Sequence, residues 1–254
     1  MTTNILVIPD VQVKKGVSMA HLHHIGQFIA NKKPTHIVNI GDWADMPSLS
    51  FYDKGKMSFE GRRYNDDIEA SKLAMDIMLK PLADLQAKQK RQKLKVYKPK
   101  MILTLGNHED RINRAVENDA ILEGVISIED LEYEKDWEVI PFLEVTTIAG
   151  VDFSHYFTSG VMGRPVSSSR VLVTKKLNSC VMGHIQTMES HTQYRPNGKR
   201  VTGLFVGTAY KHHEAYLKPQ GNVHWRGIHM LYNVNDGDFD HHSIPLDYLE
   251  RRYG

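Results

Sequence analysis

At 254 residues with 41% hydrophobic content, the chain can bury a substantial core and reads most simply as one α/β domain, residues 1–254, with a loop and helix inserted at about 47–100. The formal net charge of +2 excludes a globally basic nucleic-acid binder, so any such partner needs a local patch. The single cysteine, Cys180, excludes an internal disulfide framework, and no stretch approaches the roughly 18 apolar residues of a membrane span.

A reducing compartment fits that cysteine usage. Met1 to Asp10 lacks a basic region followed by a signal-peptide core, so the expected location is the cytoplasm, with no membrane partner. Asn4 to Ile8 is an apolar, β-branched run stopped by Pro9-Asp10, which predicts a buried strand ending in the loop Asp10-Val11-Gln12. A helix follows from Ser18, with Leu22, Ile25 and Ile29 on one face. Thr35 to Ile40 is a second buried strand, followed at once by Gly41-Asp42-Trp43-Ala44-Asp45. Residues 47–64 carry Pro47, Gly55 and Gly61 without a clear period and predict a long loop covering the site.

Met75, Met78, Leu82 and Leu85 keep helical spacing, with Pro81 expected to kink or break the helix. From Lys88 to Lys100 basic residues outnumber acids, which reads either as a solvated helix end and connector or as a phosphate-backbone contact. Met101 to Leu105 is a third buried strand, and Gly106-Asn107-His108-Glu109-Asp110-Arg111 follows it, with a helix predicted from Arg111 to Leu131. A β-rich half comes next. Val151 to Tyr156 alternates as a strand, and Ser179 to Met182 leads into Gly183-His184-Ile185-Gln186. Asn197-Gly198 signals a tight hairpin, and Asp236-Gly237 separates Leu231 to Val234 from a final strand near Ser243-Ile244.

Five predicted strands thus end in, or run into, a residue type that binds metal: Asp10, Asp42, Asn107, His155 and His184. Functional groups gather beyond the carboxyl ends of strands in open α/β sheets, so residues far apart in sequence can converge there. Carboxylate, amide oxygen and imidazole together suit a divalent transition metal better than calcium. Taken singly, an Asp after a strand is commonly a turn residue and a lone histidine commonly a surface one. The ordered set of five is hard to explain that way.

In order, Asp10-Val11-Gln12, Gly41-Asp42-Trp43-Ala44-Asp45, Gly106-Asn107-His108-Glu109, His155 and Gly183-His184-Ile185-Gln186 resemble the pattern of the calcineurin-like metallophosphoesterases. That pattern is D-x-H, G-D-x-x-D, G-N-H-E/D, a lone H and G-H-x-H. The match runs from residue 4 to about 187, and its middle two blocks are the most specific. His224-Trp225-Arg226-Gly227 and the ending Leu246 to Tyr253 also resemble a branch often encoded by tailed bacteriophages, which would place the protein in a host cytoplasm. The resemblance implies a four-layer αββα sandwich of two mixed β-sheets flanked by helices, with two divalent metal ions at the strand ends. It implies that Asp42 bridges the ions, that Asn107, His155 and His184 complete one site, and that Asp10, Gln12 and Gln186 serve the other. His108 would stabilise the transition state or protonate the leaving group, oriented by Asp45. Arg111 and Arg114 read equally as phosphate contacts or surface ion pairs, and Glu109 as a carboxylate favoured by a helix N-terminus.

Two departures bear on the metals. Gln12 and Gln186 stand where the family has histidine, and both fall on the same metal site. Oxygen donors shift preference toward Mn2+ or Mg2+ and away from Zn2+, so manganese is the expected cofactor, iron and zinc remain open, and the Gln12 and Gln186 site is the weaker. The expected activity is hydrolysis of a phosphoester, as a phosphodiesterase or a phosphatase. Phe51, Tyr52, Phe59, Arg62, Arg63 and Tyr64 in the long loop add stacking faces and charge, which would extend the substrate to a single-stranded nucleic acid or nucleotide held by Arg62 and Arg63. A catalytically silent scaffold of the same fold is the alternative. Ser167-Ser168-Ser169 reads as a polar loop, and His212-His213 and His241-His242 as surface residues or neighbours of the ligands. The stretch containing Tyr210, His212, His213, Tyr216, His224 and Trp225 either borders the substrate or packs a late strand.

Overall fold

Buried runs whose successive residues point to opposite layers build both sheets. In chain order the computed structural model, which describes residues 2–213 and 224–254, begins with β1 (Thr3–Ile8), α1 (Ala20–Lys32), β2 (His36–Asn39), α2 (Tyr64–Arg91) and β3 (Lys100–Thr104). It continues with α3 (Arg111–Asn118), β4 (Glu138–Ile140), β5 (Thr146–Ile148), β6 (Val151–Phe153) and the short pair β7 (Thr158–Ser159) and β8 (Arg164–Pro165). Last come α4 (Ser169–Lys176), β9 (Ser179–Met182), β10 (Met188–Tyr194), β11 (Arg200–Val206), β12 (Gly227–Asn235), β13 (Asp238–Pro245) and α5 (Leu246–Tyr253).

The first sheet has the order β13-β12-β1-β2-β3-β4 and the second β10-β11-β9-β6-β5. Both are mixed. β1 to β4 run parallel while β12 and β13 are antiparallel; in the second sheet β6, β9 and β11 are parallel while β5 and β10 are antiparallel. In β1, Ile5 and Val7 enter the core shared with the second sheet, whereas Leu6 and Ile8 enter the core beneath the helices. Ile102 and Leu103 divide in the same way. Strands buried on both faces must read as continuous apolar runs, which is why three of them stood out from the sequence.

The helix-side core joins Leu22, Ile25 and Ile29 of α1, Met75, Met78 and Leu82 of α2, and Leu246 and Leu249 of α5. On the far face, Cys180, Met182 and Phe205 pack with Leu172 of α4. The architecture is therefore α/β/β/α, with two mixed sheets flanked by helices. Truncating Phe153, which is fully buried between the sheets, would cost about 3–5 kcal/mol by the usual cavity penalty.

Three expectations differ from the structure. α2 runs unbroken through Pro81, because Met78 and Leu82 carry its apolar face into the core on both sides of the ring. The helix from Arg111 stops at Asn118, since Asp119 is extended and its side chain caps Ile121 N–H to start a separate 3₁₀ turn. Residues 47–64 contain 3₁₀ turns at 47–49, 51–53 and 57–59, and α2 already begins at Tyr64. Among the described residues no helix is long and apolar enough to cross a membrane.

One buried histidine crosses between the sheets. His229 Nε2–H of β12 donates to the Val206 carbonyl of β11 (2.8 Å), which leaves Nδ1 to accept from His241 Nε2–H (2.7 Å). Burial, reinforced by His241, holds the His229 imidazole down to about 3. Because an unfolded histidine titrates near 6.5, this residue contributes its full stability above that pH and loses it as pH falls toward 3. Each pH unit in that window costs about 1.4 kcal/mol. Urea unfolding should show that the stability lost between pH 7 and pH 5 is roughly 2 kcal/mol larger in the wild type than in His229→Gln. An equal loss in the two proteins would contradict the buried neutral imidazole.

Candidate metal centre

Parallel strands within each sheet bring Asp10, Asp42, Asn107, His155 and His184 to one end of the sandwich. Each follows the carboxyl end of its strand, β1, β2, β3, β6 and β9 respectively. Close approach between their loops requires two glycines. A Cβ on Gly106 would lie 2.1 Å from Asp42 Oδ1, and one on Gly183 would lie 2.4 Å from Asp10 Oδ1.

Four acceptor-capable atoms converge. His155 Nε2 stands 3.3 Å from Asp42 Oδ2 and 3.0 Å from Asn107 Oδ1, and His184 Nδ1 is 2.7 Å from the same amide oxygen. The donor atoms of Asp42, His155 and His184 all lie within 4.8 Å of one another. His155 Nδ1–H is already committed to the Ile40 carbonyl at 2.8 Å, since a carbonyl can only accept. Its Nε2 therefore faces two oxygens either as an imidazolium or as a lone pair aimed at a cation. Burial is the largest influence and opposes the imidazolium, yet Asp42, Asp10 and the Ile40 carbonyl together outweigh it and raise His155 to about 9. His184, depressed to about 4 by burial and then by His155, is a neutral donor nitrogen. A divalent ion would satisfy all four atoms at once, so the donor set fits one.

Asp10 and Asp42 are both buried, but their environments diverge. Asp42 Oδ1 accepts the His108 backbone N–H (2.9 Å), and although burial alone would raise this carboxyl, His108 and His155 hold it well below the ordinary range. Asp10 Oδ1 accepts His184 N–H (3.2 Å), while its Oδ2 has no hydrogen-bond partner. Burial pushes Asp10 up to about 7, only partly offset by His155. A buried carboxylate oxygen without a partner is the fit expected at a second cation position. Gln12 is buried beside it and Gln186 half-buried, and both line a cavity of about 370 Å³ together with Asp42, Asn107, His108, His184, Ile185, Thr187 and His224.

His108 is bracketed by Asp45 and Arg111. Its Nδ1 lies 2.8 Å from Asp45 Oδ1 and 2.9 Å from the Asp45 carbonyl, and Arg111 Nη2 approaches Nε2 to 3.2 Å. Asp45 is itself held by Lys14 Nζ at 2.9 Å. Burial disfavours charge on His108, but Asp42 and Asp45 together raise it above its ordinary value. Arg111 also donates to the Asp45 carbonyl at 2.7 Å, so its guanidinium joins the site rather than the outer surface. Arg114 donates to the Asn107 carbonyl at 2.6 Å and pairs with Asp110.

Glu109 does not serve a helix N-terminus. It is fully buried, with Oε2 accepting the N–H groups of Asp42 (3.0 Å) and Gly106 (2.9 Å) and Oε1 that of Ala44 (2.9 Å). Burial, with Asp42 adding to it, raises its carboxyl, while the Ala44 and Gly106 N–H groups pull it back. Its place beside Asn107 and His108 in sequence was the available signal; the tertiary partner was not legible.

Other expected contacts fall elsewhere. Arg62 donates to the Pro47 carbonyl and to Asp53 Oδ2 (3.0 and 2.9 Å) and so ties the loop to itself, whereas Arg63 is exposed and bonds the Arg62 carbonyl. Lys88 to Lys100 lead into the start of β3, the end of the sheet away from Asn107. Ser168 caps α4, and His241 pairs with His229. Tyr216 lies outside the described residues.

No family model matches the chain, and no curated protein matches it. Among solved structures it is similar to YfcE, a phosphoesterase from E. coli, with a TM-score of 0.39 and 10% identity over 96% of this chain and 100% of that one. At that level the likeness decides nothing about chemistry.

Glu109→Ala should leave three buried N–H groups without an acceptor, at about 1–3 kcal/mol each. Urea unfolding is expected to register a loss of about 3 kcal/mol or more, and a loss under about 1 kcal/mol would mean that the loops hold without the carboxylate.

Proposed function

We propose that the chain is a divalent-metal-dependent phosphoester hydrolase of the calcineurin-like metallophosphoesterase kind, with manganese as the expected ion. The supporting observation is His155 Nε2, which faces Asp42 Oδ2 and Asn107 Oδ1 with its other nitrogen already committed to a carbonyl. Asp42, Asn107, His155 and His184 would hold one ion. Asp10, Gln12 and Gln186, with Asp42 shared, would hold the second and weaker one, where amide oxygens favour manganese or magnesium over zinc. Bound divalent ions neutralise phosphoryl oxygens and acidify a water.

The protein's own groups supply the rest. Asp45 orients His108 beside Asp42, and Arg111 covers His108 Nε2. A phosphate that draws the guanidinium toward itself would free that nitrogen to take up a proton, which Asp42 and Asp45 favour, and so couple substrate arrival to formation of a proton donor. Arg111 thus has a role in positioning the substrate and in timing access to His108. Exposed Phe51 and Tyr52, in the segment that leads to Arg63, are the features that favour a nucleotide or single-stranded nucleic acid, since bases stack on aromatic faces. The basic run 88–100 gives no support to that extension, because it lies at the other end of the sheet.

Asp42→Asn and His184→Ala should each lower manganese-dependent hydrolysis of an aryl phosphodiester or phosphomonoester by at least about a hundredfold. Wild-type turnover by Asp42→Asn under saturating manganese would sink the reading. Calorimetry of the wild type should resolve one tight and one weak manganese site. Metal binding without hydrolysis of any ester would favour the silent scaffold instead.

Replacing Arg62 and Arg63 separates structure from binding. Arg62→Ala should lower the melting temperature by a few degrees through loss of its Asp53 and Pro47 contacts, while Arg63→Ala should not. If nucleic acid is a substrate, Arg63→Ala should weaken binding to single-stranded DNA and flatten its salt dependence. No binding at low salt by the wild type would remove nucleic acid from consideration.

A further inference from the structure

We propose that His224 contacts the substrate in this site and that Tyr210 is the residue that positions it; the proposal rests on the phosphoester reading above. His224 forms part of the cavity wall with Gln12, His108 and Gln186, although it comes from a different part of the chain, just ahead of β12. It does not belong to the metal cluster. Among the described residues, the imidazole and carboxylate donors within 4.8 Å of one another are those of Asp42, His155 and His184. The imidazole lines the same cavity from outside that cluster.

Tyr210 fixes that imidazole. The phenol ring is fully buried and stacks on His212, with centroids 4.4 Å apart and planes 20° from parallel, and the Arg226 guanidinium lies 5.7 Å from its centroid. Its hydroxyl is 2.6 Å from His224 Nδ1 and donates to Gln186 Oε1 at 3.3 Å. A hydroxyl carries one proton, so when Oη donates to the amide it accepts from His224 Nδ1–H. The bond at Nδ1 thus fixes how the imidazole sits in the cavity wall. One buried hydroxyl thereby couples a substrate contact to Gln186, a candidate for the weaker metal position.

The test uses the full chain loaded with manganese, and inorganic phosphate as the probe. His224→Ala should weaken phosphate binding about tenfold or more by calorimetry, the size of one hydrogen bond to a charged group, while manganese affinity stays within about twofold. Tyr210→Phe keeps the ring stack and removes the hydroxyl. It should fold as the wild type does by circular dichroism, weaken phosphate binding in the same direction, and add little to His224→Ala in the double variant, because the two act as one unit. Wild-type phosphate affinity in His224→Ala would overturn the proposal. A fall in manganese affinity in that variant would also overturn it, by making the imidazole a metal ligand. A wild type that binds manganese but neither phosphate nor any ester would remove the hydrolase reading and this inference with it. Phosphate binding that survives His224→Ala unchanged removes the inference alone.

Discussion

The Glu109 carboxylate determines how the loops after β2 and β3 meet. Two loops at the carboxyl ends of neighbouring parallel strands would ordinarily leave backbone N–H groups pointing at each other's space, each needing an acceptor once buried. Glu109 supplies that acceptor for Asp42 and Ala44 on one loop and Gly106 on the other. The Asp42 side chain returns the favour by accepting the His108 N–H. The Asp42 carboxylate, the amide of Asn107 and the imidazole of His108 are thereby fixed relative to one another by the protein alone. Preorganisation of this sort is what makes charge stabilisation effective, since nothing has to reorganise during the reaction.

That preorganisation concentrates negative charge. Asp10, Asp42 and Glu109 are all buried within a few residues of the same strand ends, and each meets the resulting repulsion differently. Glu109 is neutralised locally by N–H dipoles. Asp42 is stabilised by His108 and His155. Asp10 has one unpartnered oxygen and is pushed up to about 7 by its burial. The two proposed cation positions are therefore unequal in physical terms, independent of any comparison between glutamine and histidine as ligands. One is lined by a depressed carboxyl and two imidazoles, the other by a carboxyl that gains most from a cation because it has least now.

The strand ends were legible because a doubly buried parallel strand must be apolar throughout, and an abrupt change to Asp, Asn or His after such a run is visible in one dimension. Asp10, Asp42, Asn107 and His184 were placed in that way, His155 only as part of a segment that alternates from Val151 to Tyr156, and the structure brings the five together just past the ends of their strands. Glu109 was visible but assigned a local role, because its partners are 65 and 67 residues away along the chain at Ala44 and Asp42. The hydroxyl that joins Gln186 to His224 had no sequence signal beyond a cluster of aromatic and imidazole residues. Lys88 to Lys100 left two readings open for a related reason. Charge density along a chain says nothing about which end of a sheet it occupies, and parallel β3 puts these lysines away from the site.

Backbone conformation at the site carries the same message as its electrostatics. Gln12, Asp42, Met46 and His184 all have positive φ, between 47° and 62°, in segments that either bear or flank the converging side chains. A left-handed residue other than glycine costs roughly 1 kcal/mol or more, and asparagine, aspartate or histidine tolerates it better than glutamine or methionine. Glycine at positions 12, 42 or 184 would relieve that strain, but it would also delete a donor atom. Where the side chain is not needed as a donor, at Gly41, Gly106 and Gly183 next door, the chain does use glycine and gains close approach. At positions 12, 42 and 184 the left-handed residue carries a side chain that lines the cavity, whereas Met46 packs in the core and the neighbouring glycines only let another residue approach.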